Sequence, residues 1–290
     1  MRPIRSAGSP KPARRTTSAP SRPSGKRYPR LDPLERTPLP EPALIRGGRN
    51  ARGETASPGS TVTSASAWVV VCAAGAGKRL AGTRPKAFAA FAGRPLLAES
   101  LQRLDDCDLI AGLVVAAPPG WEEATILLAE ELDCDKVSAV VRGGRKRGES
   151  VSLGLAEIPL EAELVLVHDA ARPLVSAEVV KRVLAPLEQG WDAVVPALPL
   201  PDTVKRVEEE RVVETLERGS LVAVQTPQAF RAEALRAAYA AEHDEATDCS
   251  TLVERRGGRV LWVEGDPRLH KVTTSDDLAL VESWLAEERR

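Results

Sequence analysis

Residues 69–86, VVVCAAGAGKRLAGTRPK, constrain the fold more than any other stretch of the chain. Val69, Val70 and Val71 are β-branched and consecutive, which favours a buried strand over a helix. The strand runs into Ala73-Ala74-Gly75-Ala76-Gly77, a loop with almost no side chains. Lys78 and Arg79 follow, and Lys86 stands directly behind Pro85. A polyanion can approach the backbone of such a loop, with fixed positive charge on both sides. A tight strand-to-helix turn with surface cations fits the same residues, so the rest of the chain has to decide.

Beyond this loop, strand-like and helix-like stretches alternate. Strands are expected over Trp68–Cys72, Leu109–Ala117, Val137–Val141 and Leu164–His168. Helices are expected over Arg94–Leu104, Trp121–Leu132, Ser150–Glu157 and Ala177–Glu188. Near-continuous apolar strands in this order predict an α/β fold, a mainly parallel sheet covered by helices on both faces. Ligands of such sheets bind beyond the carboxyl ends of the strands, where the polar motifs of this chain fall. The alternation breaks at residues 202–217, DTVKRVEEERVVETLE, which read as a hairpin turning at Glu209-Glu210. With few large apolar residues it projects from the body and needs a partner to pack against. A strand near Val222, helices over Ala232–Ala241 and Ser250–Arg256, a strand over Arg259–Val263 and a helix from Ser275 to about Glu287 complete the chain.

Charge is distributed unevenly behind a net value of -1. Residues 1–66 carry 13 Lys+Arg against 4 Asp+Glu, and the remainder 27 against 37. Residues 1–65 are rich in Pro, Arg and Ser without periodicity, a composition that cannot offset its ordering entropy and reads as disordered. A transit peptide, a tail that sticks to nucleic acid and an upstream misassigned start all fit it, and a misassigned start or an inert tail is the expectation. The folded part then spans residues 66–290, with the projecting arm at about 199–221. Cys72, Cys107, Cys134 and Cys249 show no paired spacing and read as free thiols of a reducing compartment. The longest apolar runs fall short of the roughly 18 residues of a membrane span. His168, His243 and His270 lack ligand spacing, and no GxSxG elbow supports a serine hydrolase. Ala116-Ala117-Pro118-Pro119, where a nicotinamide dehydrogenase needs an acid for the ribose, speaks against that class.

Several further stretches carry chemistry. In His168-Asp169-Ala170-Ala171-Arg172-Pro173, an acid at a strand end can hold a divalent metal against phosphate oxygens. In Gly143-Gly144-Arg145-Lys146-Arg147-Gly148-Glu149-Ser150, glycines free the backbone to meet a base edge, and Ser150 can cap the next helix. Gln225-Thr226-Pro227-Gln228, Ala246-Thr247-Asp248 and His270-Lys271-Val272-Thr273 follow, with Asp276 and Asp277 placed to cap the last helix. Taken together and in this order, these stretches resemble the 2-C-methyl-D-erythritol 4-phosphate cytidylyltransferases of the non-mevalonate isoprenoid pathway. The resemblance covers about residues 66–287.

It implies a Rossmann-like nucleotidyltransferase fold and a reaction that joins CTP to a sugar-alcohol phosphate with release of pyrophosphate. It also implies that Arg79, Lys86 and Lys271 are catalytic, and that Asp169 positions Mg²⁺ or another divalent cation. By the same resemblance Ala73, Ala74, Gly75, Gly144, Ser150 and Ala170 bind the nucleotide. Arg172, Thr203, Arg218, Thr226 and Thr247 bind the acceptor, with Thr203 and Arg218 serving the neighbour's site through an arm exchanged in a homodimer. Neither nucleic acid nor membrane is implied as a partner, and the location is cytoplasmic, or plastid if the extension is a transit peptide. Two positions depart from the family pattern. Leu269 stands where Asn is usual, and Gly148-Glu149-Ser150 where Ala-Asp-Ser is common. A ribitol- or ribulose-5-phosphate cytidylyltransferase shares nearly every motif, and a non-catalytic nucleotide-binding module is a further alternative. A fused cyclodiphosphate synthase, known in some relatives, is not expected after the last helix. Deleting residues 1–64 is expected to leave turnover intact, as steady-state assay of the shortened chain will check; a large loss would give the extension a role.

Overall fold

The computed structural model describes residues 66–75, 77, 84–241 and 248–290, so the extension expected over residues 1–65 lies outside the described residues. In chain order the elements are β1 (Ala67–Cys72), β2 (Ala90–Phe91), β3 (Arg94–Pro95), α1 (Leu96–Asp105), β4 (Ile110–Ala117), α2 (Glu122–Glu131), β5 (Val137–Arg142), α3 (Arg147–Ala156), β6 (Leu164–Asp169), α4 (Ala177–Leu184) and β7 (Ala193–Pro199). There follow β8 (Lys205–Glu208), β9 (Arg211–Thr215), β10 (Val222–Val224), β11 (Gln228–Arg231), α5 (Ala232–Ala241), α6 (Cys249–Arg255), β12 (Val260–Glu264) and α7 (Ser275–Glu288).

The main sheet has the order β10-β7-β11-β6-β1-β4-β5, with β12 added alongside β7. β1 pairs in parallel with β4 and β6, and β4 with β5. β11 is antiparallel to both its neighbours. Strand periodicity explains why β1 is apolar without a break. Val69 and Val71 pack into a core with Leu97, Leu101 and Val183, whereas Val70 joins Val151, Leu155 and Leu235 on the other face. All three valines are fully buried.

The register also fixes where the polar loops emerge. Cys72 lies opposite Ala116 of β4 and Asp169 of β6, and Ala117 lies opposite Arg142 of β5. Four strands therefore end together, and the segments after them share one edge of the sheet. β10 and β11 lie one after the other along β7, with their register shifted by two residues, so the chain departs from regular pairing just after Gln225 at that same edge.

Several expected boundaries moved, each for a local reason. The helix expected over Arg94–Leu104 begins at Leu96, because Ala92 (φ 47°) and Gly93 (φ 84°) form a two-residue turn that pairs β2 with β3. The helix expected over Ala177–Glu188 ends at Leu184 and tightens into a 3₁₀ turn over Ala185–Gln189, where Pro186 lacks the donor an α-helix needs. β7 and β11 were not expected. Pro196 and Pro199 weaken the strand pattern of β7, and β11 is only four residues long.

The hairpin appears as read, with β8 and β9 forming a sheet of their own and every residue of both exposed. The last helix is held at both ends. Thr274 caps it, accepting from the Asp277 N–H at 3.2 Å, and Asp277 accepts in return from Thr273 and Thr274 N–H at 2.8 Å. Asp276 does not take the capping role expected for it. At the other end, buried Glu99 of α1 binds Arg94, Arg103 and, at 3.2 Å, Arg289 just past α7.

Candidate active site

The shared carboxyl edge opens as a cleft of about 450 Å³ lined by Ala73, Ala74, Gly75, Lys86, Gly144, Ser150, Asp169, Ala170 and Lys271. Nine of the residues singled out from the sequence are thus brought together. A smaller cavity of about 240 Å³ adjoins it and shares Arg147, Asp169 and Lys271, adding Arg172 and Thr226. Arg79 and Thr247 lie outside the described residues. Thr203 and Arg218 are exposed near the hairpin and line neither cavity.

Two loops approach so closely that only small residues fit. A Cβ on Gly143 would stand 2.2 Å from the Ala74 Cβ and 2.8 Å from the Ala117 carbonyl oxygen. Gly143 therefore lets the loop after β5 close against the loop after β1. The next residue, Gly144, donates its N–H to Ser150 Oγ at 3.0 Å. Ser150 does not cap α3 as expected, because the helix starts three residues earlier, at Arg147. Glu149 takes over the terminus, accepting from the Arg145 N–H at 2.7 Å. Both family departures now have a place. A Cβ at Gly148 would meet nothing within 4 Å, so Ala or Gly fits equally. Leu269 is fully buried in the core and offers only its carbonyl to the site, accepting from Arg172 Nη1.

The centre of the site is Asp169, 6% exposed, at the end of β6. Arg147 Nε donates to Oδ1 at 2.9 Å and Lys271 Nζ to Oδ2 at 2.7 Å. Burial alone would raise the Asp169 pKa, but the two cations outweigh it and hold the carboxyl well below the usual carboxylate range. Lys86 Nζ donates to the carbonyl of Val272 at 3.2 Å, which sets it beside Lys271. Cys72 also lines the cleft, and burial pushes its thiol up to about 12, which keeps it protonated near neutral pH.

Arg147 was not singled out from the sequence, although a signal existed. Arg147, Ser150, Val151 and Gly154 follow helical spacing, and the last three are buried. Reading the helix as starting at Ser150 hid that phase.

Behind Asp169 a short chain of hydrogen bonds is complete within the protein. Thr226 Oγ1 accepts from the Asp169 N–H at 3.0 Å and lies 3.3 Å from His168 Nδ1. His168 Nε2–H donates to the Arg172 carbonyl at 3.1 Å, which leaves Nδ1 to accept from the Thr226 hydroxyl.

The family model for 2-C-methyl-D-erythritol 4-phosphate cytidylyltransferase matches residues 67–287. The chain belongs to that family. The cytidylyltransferase of Saccharopolyspora erythraea is 45% identical over 221 residues, covering 75% of this chain and 98% of that one. That of Streptomyces avermitilis is 44% identical over 229 residues, 76% of this chain and 92% of the relative. The crystal structure of the Thermus thermophilus cytidylyltransferase is similar with a TM-score of 0.62 at 36% identity, over 75% of this chain and 98% of that one. The α/β nucleotidyltransferase fold expected from the sequence is the one these cytidylyltransferases share.

His168 yields a prediction about pH. Burial pushes its pKa down from 6.5 to about 4, so the folded chain holds it neutral where the unfolded chain protonates it. Below about pH 6.5 the unfolded state binds the extra proton, and stability falls until about pH 4, by on the order of 3 kcal/mol. Urea unfolding from pH 7 to 4 checks this, and His168→Gln should flatten the profile.

Proposed function

We propose that this cytidylyltransferase moves CMP from CTP to 2-C-methyl-D-erythritol 4-phosphate, giving 4-diphosphocytidyl-2-C-methyl-D-erythritol and pyrophosphate. The observation that carries the reading is the Arg147–Asp169–Lys271 cluster, with Lys86 beside it, at the carboxyl edge of the sheet. A phosphate oxygen of the acceptor attacks the α-phosphorus in line. As that P–O bond forms, the bond from the α-phosphorus to the β-phosphate oxygen breaks, and its electron pair leaves on pyrophosphate. Both reactants are anionic, so alignment and charge neutralisation supply most of the rate.

Lys86 and Arg79 grip the triphosphate, and Lys271 meets the α-phosphate on the acceptor side. Backbone groups of Ala73, Ala74, Gly75, Gly144 and Ala170, with Ser150, hold cytosine and ribose. Arg172 and Thr247 bind the acceptor phosphate. Thr226 acts from behind Asp169, where its hydroxyl is already engaged.

Asp169 fits a divalent ion, being an ionised oxygen donor beside the space a triphosphate would fill. Mg²⁺ is commonly held by one or two carboxylates together with substrate phosphates. Among the described residues no group of three or more His, Cys, Asp or Glu could hold a metal by itself. When bound, the ion supplies charge neutralisation at the phosphate oxygens.

The arm supports a homodimer. Val207 is 58%, Val212 61% and Val213 46% exposed on a hairpin with no sheet of its own body to cover it. A second copy would bury these side chains and receive Thr203 and Arg218 at its acceptor site. Light scattering is expected to give the mass of two chains, and a strict monomer would remove the arm from the site. No helix among the described residues is long and apolar enough to cross a membrane, and a cytoplasmic location suits the four free thiols.

Pyrophosphate release from CTP and Mg²⁺ is expected with methylerythritol phosphate and not with ribitol or ribulose phosphate; the reverse preference would overturn the acceptor assignment. Lys86→Ala, Arg79→Ala and Lys271→Ala should each lower turnover by about a hundredfold or more, roughly 3 kcal/mol in the barrier. A near-normal rate in any of them would take that residue out of the mechanism.

A further inference from the structure

Gln225 has no part in the chemistry described so far, yet its side chain grips the loop that carries Lys271. Gln225 Nε2 donates to the Asp266 carbonyl at 2.9 Å, and Oε1 accepts from the Asp266 N–H at 3.0 Å. A side-chain amide thus pairs with one residue's backbone as an adjacent strand would. Gln225 is itself fixed, being 6% exposed and donating its own N–H to the Pro196 carbonyl at 2.7 Å. Gly265 passes so close that a Cβ there would stand 2.2 Å from Gln225 Oε1. On the outer side, Arg182 Nη1 donates to the carbonyls of Glu264 at 2.7 Å and Gly265 at 3.1 Å.

The loop is therefore pinned where it leaves β12. It is pinned again at its far end, where the Val272 N–H donates to the Ala171 carbonyl at 2.8 Å. Lys271 is the residue just before that second anchor. Between these anchors Arg172 Nη1 donates to the Leu269 carbonyl, and Lys86 Nζ reaches the Val272 carbonyl at 3.2 Å, but Asp266, at the loop's origin, is held on both backbone groups by the Gln225 side chain.

We propose that Gln225 is a positioning residue, which by holding the backbone of Asp266 sets the loop so that the Lys271 ammonium meets the α-phosphate. The inference rests on the cytidylyl-transfer reading above. A displacement of about 1 Å at a catalytic group can cost on the order of a hundredfold in rate, so a fixed loop origin matters.

The test replaces Gln225 by methionine, which is similar in length and makes neither hydrogen bond. Gln225→Met should lower kcat about tenfold while the KM for CTP stays within about twofold, because the loop after β1 is untouched. In a Lys271→Ala background the same substitution should cost nothing further, since the effect runs through Lys271. Amide hydrogen exchange over residues 265–272 should quicken in the variant, a readout that needs no activity. An unchanged kcat, an equal loss with and without Lys271, or unaltered exchange would each overturn the proposal. Absence of transfer by the unsubstituted enzyme would instead sink the reading it rests on, and hydrogen exchange would still judge the clamp. If Gln225→Met does not fold, Arg182→Ala probes the same anchor from the exposed side. It should lower kcat about threefold with the same dependence on Lys271, and a loss that persists without Lys271 would overturn the proposal equally.

Discussion

A buried, ionised carboxylate is the constraint from which the site follows. Taking one carboxylate out of water costs several kcal/mol unless cations and hydrogen bonds replace the solvent. Asp169 meets that requirement with Arg147 and Lys271, which come from the start of α3 and from the segment beyond β12. Parallel register brings β6 and the β5–α3 connection to one edge without further devices. The third contributor has to return from the far end of the chain. The contacts of Gln225, Arg172 and Ala171 with the segment 265–272 bring it there. Two cations on one carboxylate leave a positive excess, to which Lys86 adds, at the carboxyl edge of the sheet.

The fold was legible in the sequence wherever one physical rule acted alone. Val69–Val71 announced a strand buried on both faces, and both cores confirm it. Signals that conflicted were harder to read. Pro196 and Pro199 argued against β7, although a parallel partner on one side and antiparallel partners on the other support it throughout. The site was legible where small residues, acids and lysines stood in a recognisable order. Arg147 was hidden because the helix boundary was placed at Ser150, and boundaries depend on capping contacts that sequence shows poorly. The helix starts after Lys146, and Glu149 in its first turn reaches back with its carboxylate to the loop amide of Arg145. Gln225 was quoted as part of a motif, but its partner lies 41 residues away, a pairing that no local spacing encodes.

The departures from the family pattern show what the site requires of a side chain and what it requires only of the backbone. At position 269 the group that serves the site is a carbonyl, and the side chain lies wholly in the core. An apolar residue there keeps the contact with Arg172 and adds burial. At position 148 open space surrounds the missing Cβ, so the cleft does not register the change. Position 143 is different in kind, since the Ala74 Cβ and the Ala117 carbonyl occupy the place of any side chain.

The two cations on Asp169 are not equivalent. The side chain of Arg147 is 22% exposed and also donates to Cys249 Sγ at 3.1 Å, so it is fixed at two points by a planar, rigid head. The side chain of Lys271 is 42% exposed and ends in a compact ammonium on a flexible stem. An anion entering the cleft therefore competes for Lys271 at far lower cost than for Arg147. Were Lys271 drawn toward an anion, Asp169 would keep Arg147 and remain ionised. The carboxylate that holds Lys271 through one oxygen can thus yield it without itself becoming an unpaired buried charge.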